Sequence, residues 1–419
     1  MKRKQGFNSG TNKPILFLGY LCALVSLVFV RILENGFDLP KFLVAFGGII
    51  CLLCYLLILF SKKNFFPIYK NPLYFPLFLF LGWQVFSIFF AVNKIAGISE
   101  IGLTLVCSTL VFIIPLILKD ASDVILLARI IAISSGIIAI YGIFQHFGFD
   151  FFMWTRENSA LSTLGRRNFA GEYLVLVIPW ALFCFFTSGR QFKVVFILIF
   201  VLLLTHLFLT FTRASWIGFI SSILLLLLLL IREPIKTTKV IQFVFMLLLL
   251  LLVTNVYAGV FQFEKGTVKS RILIWKSCVF VIKHAPFMGV GTGNFEIGYY
   301  KYASDNPNAF VPSEVRIDKA HNEFIEIAVE NGIIGLTLFL FFIFTIYKMA
   351  WLILASRNKK EFEKFVSIFA IASITGILVN SLASFPLQRT IGSFFFFLNC
   401  GILSRMYFNM LEVNPVHKK

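Results

Sequence analysis

From Leu224 to Ile231 the chain runs through seven leucines and an isoleucine without a break, and Leu247 to Val253 repeats the pattern. Runs like these aggregate in water. In the hydrocarbon core of a bilayer, about 30 Å thick, they are stable as helices of about 20 residues, because a helix satisfies its backbone N–H and C=O groups within itself. The chain has material for many such helices. Of its 419 residues 59% are hydrophobic, 53 are Phe and only 14% are charged, against roughly a quarter charged in soluble domains. Apolar stretches of spanning length fall at about 15–30, 42–60, 73–92, 98–118, 124–147, 169–187, 192–212, 214–231, 240–262, 323–355, 365–384 and 390–408. The expected fold is therefore all-α and polytopic, with about twelve transmembrane helices. Residues 1–262 form an N-terminal bundle of about nine, 263–322 a large loop, and 323–419 about three more. Within 323–355 the membrane portion is expected to begin near Gly332.

The formal net charge of +18 raises nucleic acid as a partner, but no basic stripe with interleaved aromatics accompanies it, and none is expected. The distribution of charge is more informative. Twenty-one Lys and Arg fall in segments on the side of the N-terminus, against eight in the short loops opposite. Positive charge favours the cytoplasmic side, so both termini are expected inside and the large loop outside, facing the periplasm or cell exterior. Lys2, Arg3, Lys4 and Lys13 precede Ile15–Val30 with no small-x-small cleavage site after it, which reads as an uncleaved first helix. Seven Cys are present. Cys51 and Cys54 have the spacing of a metal or redox pair, but without a second ligand pair they read as two small core residues of a helix.

The segment from Glu264 to about Lys319 is the one long stretch that is not simply apolar. Arg271 and Trp275 lie one helical turn apart, and Ile272, Trp275, Val279 and Ile282 recur at helical spacing until Pro286, as in an amphipathic helix on the outer leaflet. Gly289-x-Gly291-x-Gly293 has neither a βαβ context nor a following Gly-Lys-Ser/Thr, so it reads as a tight turn rather than a phosphate loop. Tyr299, Tyr300 and Tyr302 read as interface residues. His321 ends the loop beside Asn322, Glu323 and Glu326. A neutral imidazole there could take a proton from a hydroxyl, and neighbouring arginines would keep it neutral. His206, inside a span, needs only a hydrogen bond to a neighbouring helix. With the loop outside, Arg166, Arg167, Arg213, Arg271 and Arg389 gather at the outer face with His321, against the usual charge preference. Arg213, pinched between two spans in Thr212-Arg213-Ala214-Ser215-Trp216, reads better as an anion-binding residue than as a snorkelling one. Glu172, just after Arg166-Arg167-Asn168, reads as an ion-pair partner that orients the arginines, and Glu330 as a residue of similar use. No Asp-x-Asp pair or His/Cys cluster has ligand spacing, so no obligatory metal and no other cofactor is expected.

Together these segments resemble the O-antigen ligase and Wzy polymerase superfamily. The resemblance is carried by His321-Asn322, nine residues, Gly332, two residues and Gly335. It is also carried by Thr212-Arg213-Ala214-Ser215-Trp216, by Ser270-Arg271 with Trp275, Pro286 and the glycine turn, and by Leu164-Gly165-Arg166-Arg167-Asn168-Phe169. It implies a metal-independent membrane glycosyltransferase in the bacterial inner membrane that takes a glycan from undecaprenyl diphosphate to a lipid A–core or similar acceptor hydroxyl, with inversion. By analogy Arg213 and Arg271 would hold the diphosphate and His321 would activate the acceptor. Arg166, Arg167, Asn168, Glu172, Trp275, Asn322 and Arg389 form the expected substrate-binding set. A polymerase using the same donor is the alternative within the family, with a protein O-oligosaccharyltransferase third. A transporter of lipid-linked sugar is the rival from another class, but no internal repeat supports it.

Overall fold

The computed structural model describes residues 12–30, 32–33, 35–63, 70–152, 159–232, 265–303, 310, 316–357 and 360–411. The expected span at 240–262 lies outside these. Among the described residues all regular structure is helical. The helices are α1 (Lys13–Leu27), α2 (Asp38–Lys63), α3 (Tyr74–Ser87, extended by a 3-10 turn to Phe90), α4 (Lys94–Ser108), α5 (Leu110–Ile117), α6 (Ala121–His146) and α7 (Arg167–Thr187). After these come α8 (Arg190–Leu209), α9 (Arg213–Arg232), α10 (Lys265–His284), α11 (Phe295–Ala303), α12 (Glu323–Ala355), α13 (Glu361–Asn380) and α14 (Thr390–Leu411). Nine stretches, with α4 and α5 counted as one, are long and apolar enough to cross a membrane, and α1 and α3 are shorter apolar helices. These eleven coincide with the spans read from hydropathy.

The bundle is layered around α7, α13 and α14. In the apolar windows of α7 and α14, 83% and 89% of residues are buried, against 22% in α2. Helices apolar all round belong in such a centre. Lipid gives little hydrophobic drive between helices, so polar pairs do part of the joining. Trp180 on α7 donates to Asn399 on α14 at 3.0 Å, and Ser135 on α6 meets Tyr173 on α7 at 2.8 Å. Cys51 and Cys54 correct the sequence reading: both are helical, but both lie on the exposed face of α2 rather than in the core. An apolar position on an outer helix can be covered by lipid and needs no protein partner. His206 is also corrected in part. Its Nε2 lies 3.4 Å from the carbonyl of Ala160 in a loop, not from a helix.

The loop helices form a second, small core in which Ile274, Cys278 and Val281 of α10 pack on Val290, Phe295, Tyr299, Ile317, Ala320 and Val329. Of the four residues read as a leaflet-facing side, Ile272 and Val279 are 44% and 51% exposed, while Trp275 and Ile282 pack partly against this core. Tyr299 is buried and donates to Phe310 O at 2.7 Å, and Tyr300 accepts from Ile317 N at 2.8 Å. Both tyrosines tie the loop to itself.

The helix α12 is bent where the membrane portion was expected to begin. Gly332 has φ 65° and ψ −173°, a conformation open in practice only to glycine. A Cβ there would stand 2.1 Å from Phe287 O, and the next residue, Ile333, donates its N–H to Pro286 O at 2.8 Å. The glycine turn docks one step away, with Val290 N bonded to Val329 O at 2.9 Å and Gly291 N to Glu330 O at 2.8 Å. The turn serves backbone packing and locks the loop onto the first two turns of α12.

Candidate active site

His321 sits in the link between the loop and α12 with φ 53°, uncommon for a residue other than glycine. Its neighbours hold it there. Ala320 N donates to Glu326 Oε2 at 2.9 Å, and Trp275 Nε1 donates to Ala320 O at 2.9 Å. On the other side Asn322 caps α12, its Oδ1 accepting from Phe324 N and Ile325 N at 3.0 and 3.1 Å. Its Nδ2 donates to Leu382 O at 2.9 Å. Glu323 N is shared between Ser381 O and Ser384 O. Fixed peptides on both sides can sustain a local strain of about 1–3 kcal/mol. Among the described residues the other non-glycine ones with positive φ are Ser162 and Phe211, shortly before Arg166 and Arg213. Strain among the described residues therefore collects where the candidate residues lie.

The imidazole is half-buried, its ring 5.4 Å from that of Phe385. Burial lowers its pKa below the ordinary histidine value, and the charges of Arg271 and Arg166 lower it further, against the pull of Asp318. Lys319 nearby behaves oppositely. Burial alone would push its ammonium down, but Glu326, Glu100 and Glu330 outweigh that and raise it. Its Nζ lies 2.9 Å from Glu326 Oε1 and 3.4 Å from Glu100 Oε2.

Beside this link is a cleft of about 500 Å³ built from the start of α7, the turn into α9, the first turns of α10 and the end of α13. Arg167, Asn168, Glu172, Arg213 and Arg271 line it together with exposed apolar Phe211, Ile217 and Val268. Arg271 Nη1 donates to Ala383 O at 3.0 Å. Burial and then the charge of Arg213 lower the pKa of Arg271, although a guanidinium remains charged at any physiological pH. Two cations held within electrostatic reach at a partly buried site repel, and an anion between them relieves that cost.

A second, smaller cavity of about 250 Å³ has Arg166, Arg389, Lys41 and Asp38 in its lining. Here Arg166 and Arg389 stand over the same ring, that of Phe169, at 5.6 and 4.5 Å. Arg389 also lies 5.1 Å from Phe385, the ring that packs on His321. Cation–π contacts thus carry the arginines that carboxylates were expected to orient. Among the described residues Glu172 makes no ion pair. Its Oε1 accepts from the Ser384 hydroxyl, with Arg389 within electrostatic reach. Glu330 accepts from Phe295 N at 3.0 Å.

The structure thus brings Arg167, Asn168, Glu172, Arg213 and Arg271 into one cleft and Arg166 and Arg389 into the neighbouring cavity, with His321 between their influences. Trp275 and Asn322 hold the backbone on either side of His321. Phe169, Phe385, Ser384 and Asn380 join the site without having been anticipated. Aromatic residues are too common in this sequence for two of them to stand out. Among the described residues no three His, Cys, Asp or Glu converge as a metal site.

Fold and site together define a polytopic all-α membrane protein with a cationic, amphiphile-sized cleft at one end of its bundle. Residues 198–340 match the family model described as O-antigen ligase, and the match supports membership of the O-antigen ligase and Wzy superfamily. It spans α8 to the first half of α12 and so includes Arg213, Arg271 and His321, and it supports a ligase- or polymerase-like membrane glycosyltransferase. A comparison with curated proteins gave no match.

Proposed function

We propose that the chain transfers a glycan from undecaprenyl diphosphate to a hydroxyl of a lipid A–core sugar or similar glycolipid at the periplasmic face of the bacterial inner membrane, in the manner of an O-antigen ligase. One observation carries this reading: Arg213 and Arg271, on separate helices, line one cleft, and the charge of Arg271 also bears on His321. The exposed Phe211, Ile217 and Val268 beside them suit a ligand that is anionic at its head and apolar in its tail.

In the reaction the acceptor oxygen attacks the anomeric carbon from the side opposite the diphosphate. The bond from that carbon to the bridging oxygen breaks, its electron pair stays on the diphosphate, and the hydroxyl proton passes to the neutral imidazole of His321. The anomeric configuration inverts. Guanidinium groups placed where the negative charge grows would each lower the barrier by about 2–4 kcal/mol, and a positioned base adds about 10²–10⁴-fold.

The test is transfer by the purified chain in liposomes with an undecaprenyl-diphosphate-linked glycan and a lipid A–core acceptor. Arg213→Ala and Arg271→Ala should each lower kcat by about 10²–10³-fold, and His321→Ala by about 10²–10⁴-fold. Full activity in all three would remove the assignment. Cells lacking the chain separate the ligase from the polymerase: long lipid-linked chains accumulate in the first case and single capped units in the second.

A further inference from the structure

The floor of the arginine cleft differs from its rim. Two residues that line it, Glu172 on α7 and Asn380 at the end of α13, are 1% and 0% exposed. Each has one oxygen, itself buried, that has no hydrogen-bond partner, Glu172 Oε2 and Asn380 Oδ1. Their other polar atoms are committed. Glu172 Oε1 accepts from the Ser384 hydroxyl, and Asn380 Nδ2 donates to Ser215 Oγ at 2.9 Å. The helices are drawn tightly together at this level, since a Cβ on Gly171 would lie 2.4 Å from both Ser215 Oγ and Thr212 Oγ1.

An unpaired buried acceptor costs about 1–3 kcal/mol, and more when it is a carboxylate. Both unpaired atoms are oxygens that can accept a hydrogen bond, so a group able to satisfy both is a donor. Arg167, Arg213 and Arg271 line the same cleft, yet none forms an ion pair with Glu172 among the described residues. The donors that a lipid-linked glycan brings are its sugar hydroxyls, which are neutral and bonded close to the phosphate.

The geometry points to Glu172 and Asn380 as a sugar-hydroxyl subsite at the floor of the diphosphate cleft, a proposal that rests on the glycosyltransferase reading above. The hydroxyls can come from the first sugar of the donor or from the acceptor sugar. Glu172 is then a group that touches substrate rather than a brace for the arginines. It accepts a hydrogen bond from a hydroxyl and takes no part in breaking a bond.

The experiment measures binding by the full chain in nanodiscs. The probes are undecaprenyl diphosphate alone, the same lipid carrying glucose, galactose or N-acetylglucosamine, and a phosphate-free glycolipid. In the unaltered protein at least one sugar-bearing donor should bind about tenfold or more tighter than the bare diphosphate, the effect of one or two hydrogen bonds to buried acceptors. In Glu172→Gln and in Asn380→Leu that ratio should fall towards one. The ratio is taken within each variant, so a general weakening cancels. If the variants leave the donor ratio alone but weaken the phosphate-free glycolipid about tenfold, the subsite stands and belongs to the acceptor. A ratio near one for all three sugars in the unaltered protein, together with unchanged glycolipid binding in both variants, overturns the subsite. Failure of bare undecaprenyl diphosphate to bind at all, or binding indifferent to Arg213→Ala and Arg271→Ala, would instead strike the glycosyltransferase reading.

Discussion

His321 shows how far one residue's role follows from its surroundings. Its depressed pKa, caused by burial first and by Arg271 next, keeps a proton acceptor available below the ordinary value of 6.5. The acid limb of kcat/KM should therefore fall below pH 6.5. Asp318→Asn removes a charge that raises this pKa and should move the limb further down, whereas Arg271→Ala should move it up. Opposite shifts from two neighbours are difficult to obtain from simple damage, and a limb that ignores both would exclude His321 as its origin. The same depression has a stability consequence. The unfolded chain takes up a proton at His321 that the folded chain resists, so this group subtracts stability as pH falls below 6.5. Trp275 is a positioning residue by its bond to Ala320 O. Trp275→Phe should cost about 1 kcal/mol in thermal unfolding and lower kcat by about tenfold or more with little change in KM, because it loosens the peptide that presents the imidazole. Arg213 was legible because a charge pinched between apolar spans is conspicuous, and Arg271 and His321 because they stand in the one long polar stretch and in segments that resemble a known family. The floor residue Asn380 was not, since an Asn near a helix end is ordinary until its neighbours are known.

At the scale of elements, hydropathy located the helices well because the bilayer imposes one length and one composition on every span. It could not tell which face of a helix meets protein and which meets lipid, since both favour the same side chains. Cys51 and Cys54 were misjudged for that reason. The bend in α12 falls at Gly332, where the sequence indicated only the start of a membrane portion, and it sets a demanding requirement. Gly332→Ala combines φ 65° with a Cβ 2.1 Å from Phe287 O and should lower stability by more than about 3 kcal/mol. Gly47→Ala, in α2 with no heavy atom within 4 Å of its built Cβ, should be neutral or slightly stabilising. Equal melting temperatures for the two variants in detergent would show that the bend is dispensable. The electrostatic joint between loop and bundle is the other requirement of this kind. Lys319→Met leaves Glu326, 0% exposed at its side chain, without its cation and should cost about 3 kcal/mol. Glu326→Gln in the same background should recover part of that loss, measured by the same unfolding transition.

For the whole molecule the decisive quantity is sidedness. The starts of α7, α9 and α14 and the end of α13 all lie at the end of the bundle that bears the two cavities, so the chain has one cationic functional end. From the uneven distribution of Lys and Arg we infer that this end faces the periplasm, against the local concentration of arginine there. The exception is informative because an arginine cluster on the outer side lacks the anionic cytoplasmic leaflet and the membrane potential that would favour it, and an anionic substrate head supplies what the location does not. Labelling tests the assignment directly. The exposed residues Asn168 and Arg190 stand near opposite ends of α7, at its start and just past its end. In a background with the exposed Cys51 and Cys54 replaced by Ala, the remaining cysteines are all buried. A membrane-impermeant maleimide added to intact spheroplasts should label Asn168→Cys and leave Arg190→Cys unreacted until the membrane is opened. Labelling of Arg190→Cys alone would invert the molecule and place the arginines in the cytosol. A glycan attached to the outer side of its lipid carrier could not then reach them, and the transfer reaction would lose its substrate while the fold remained as described.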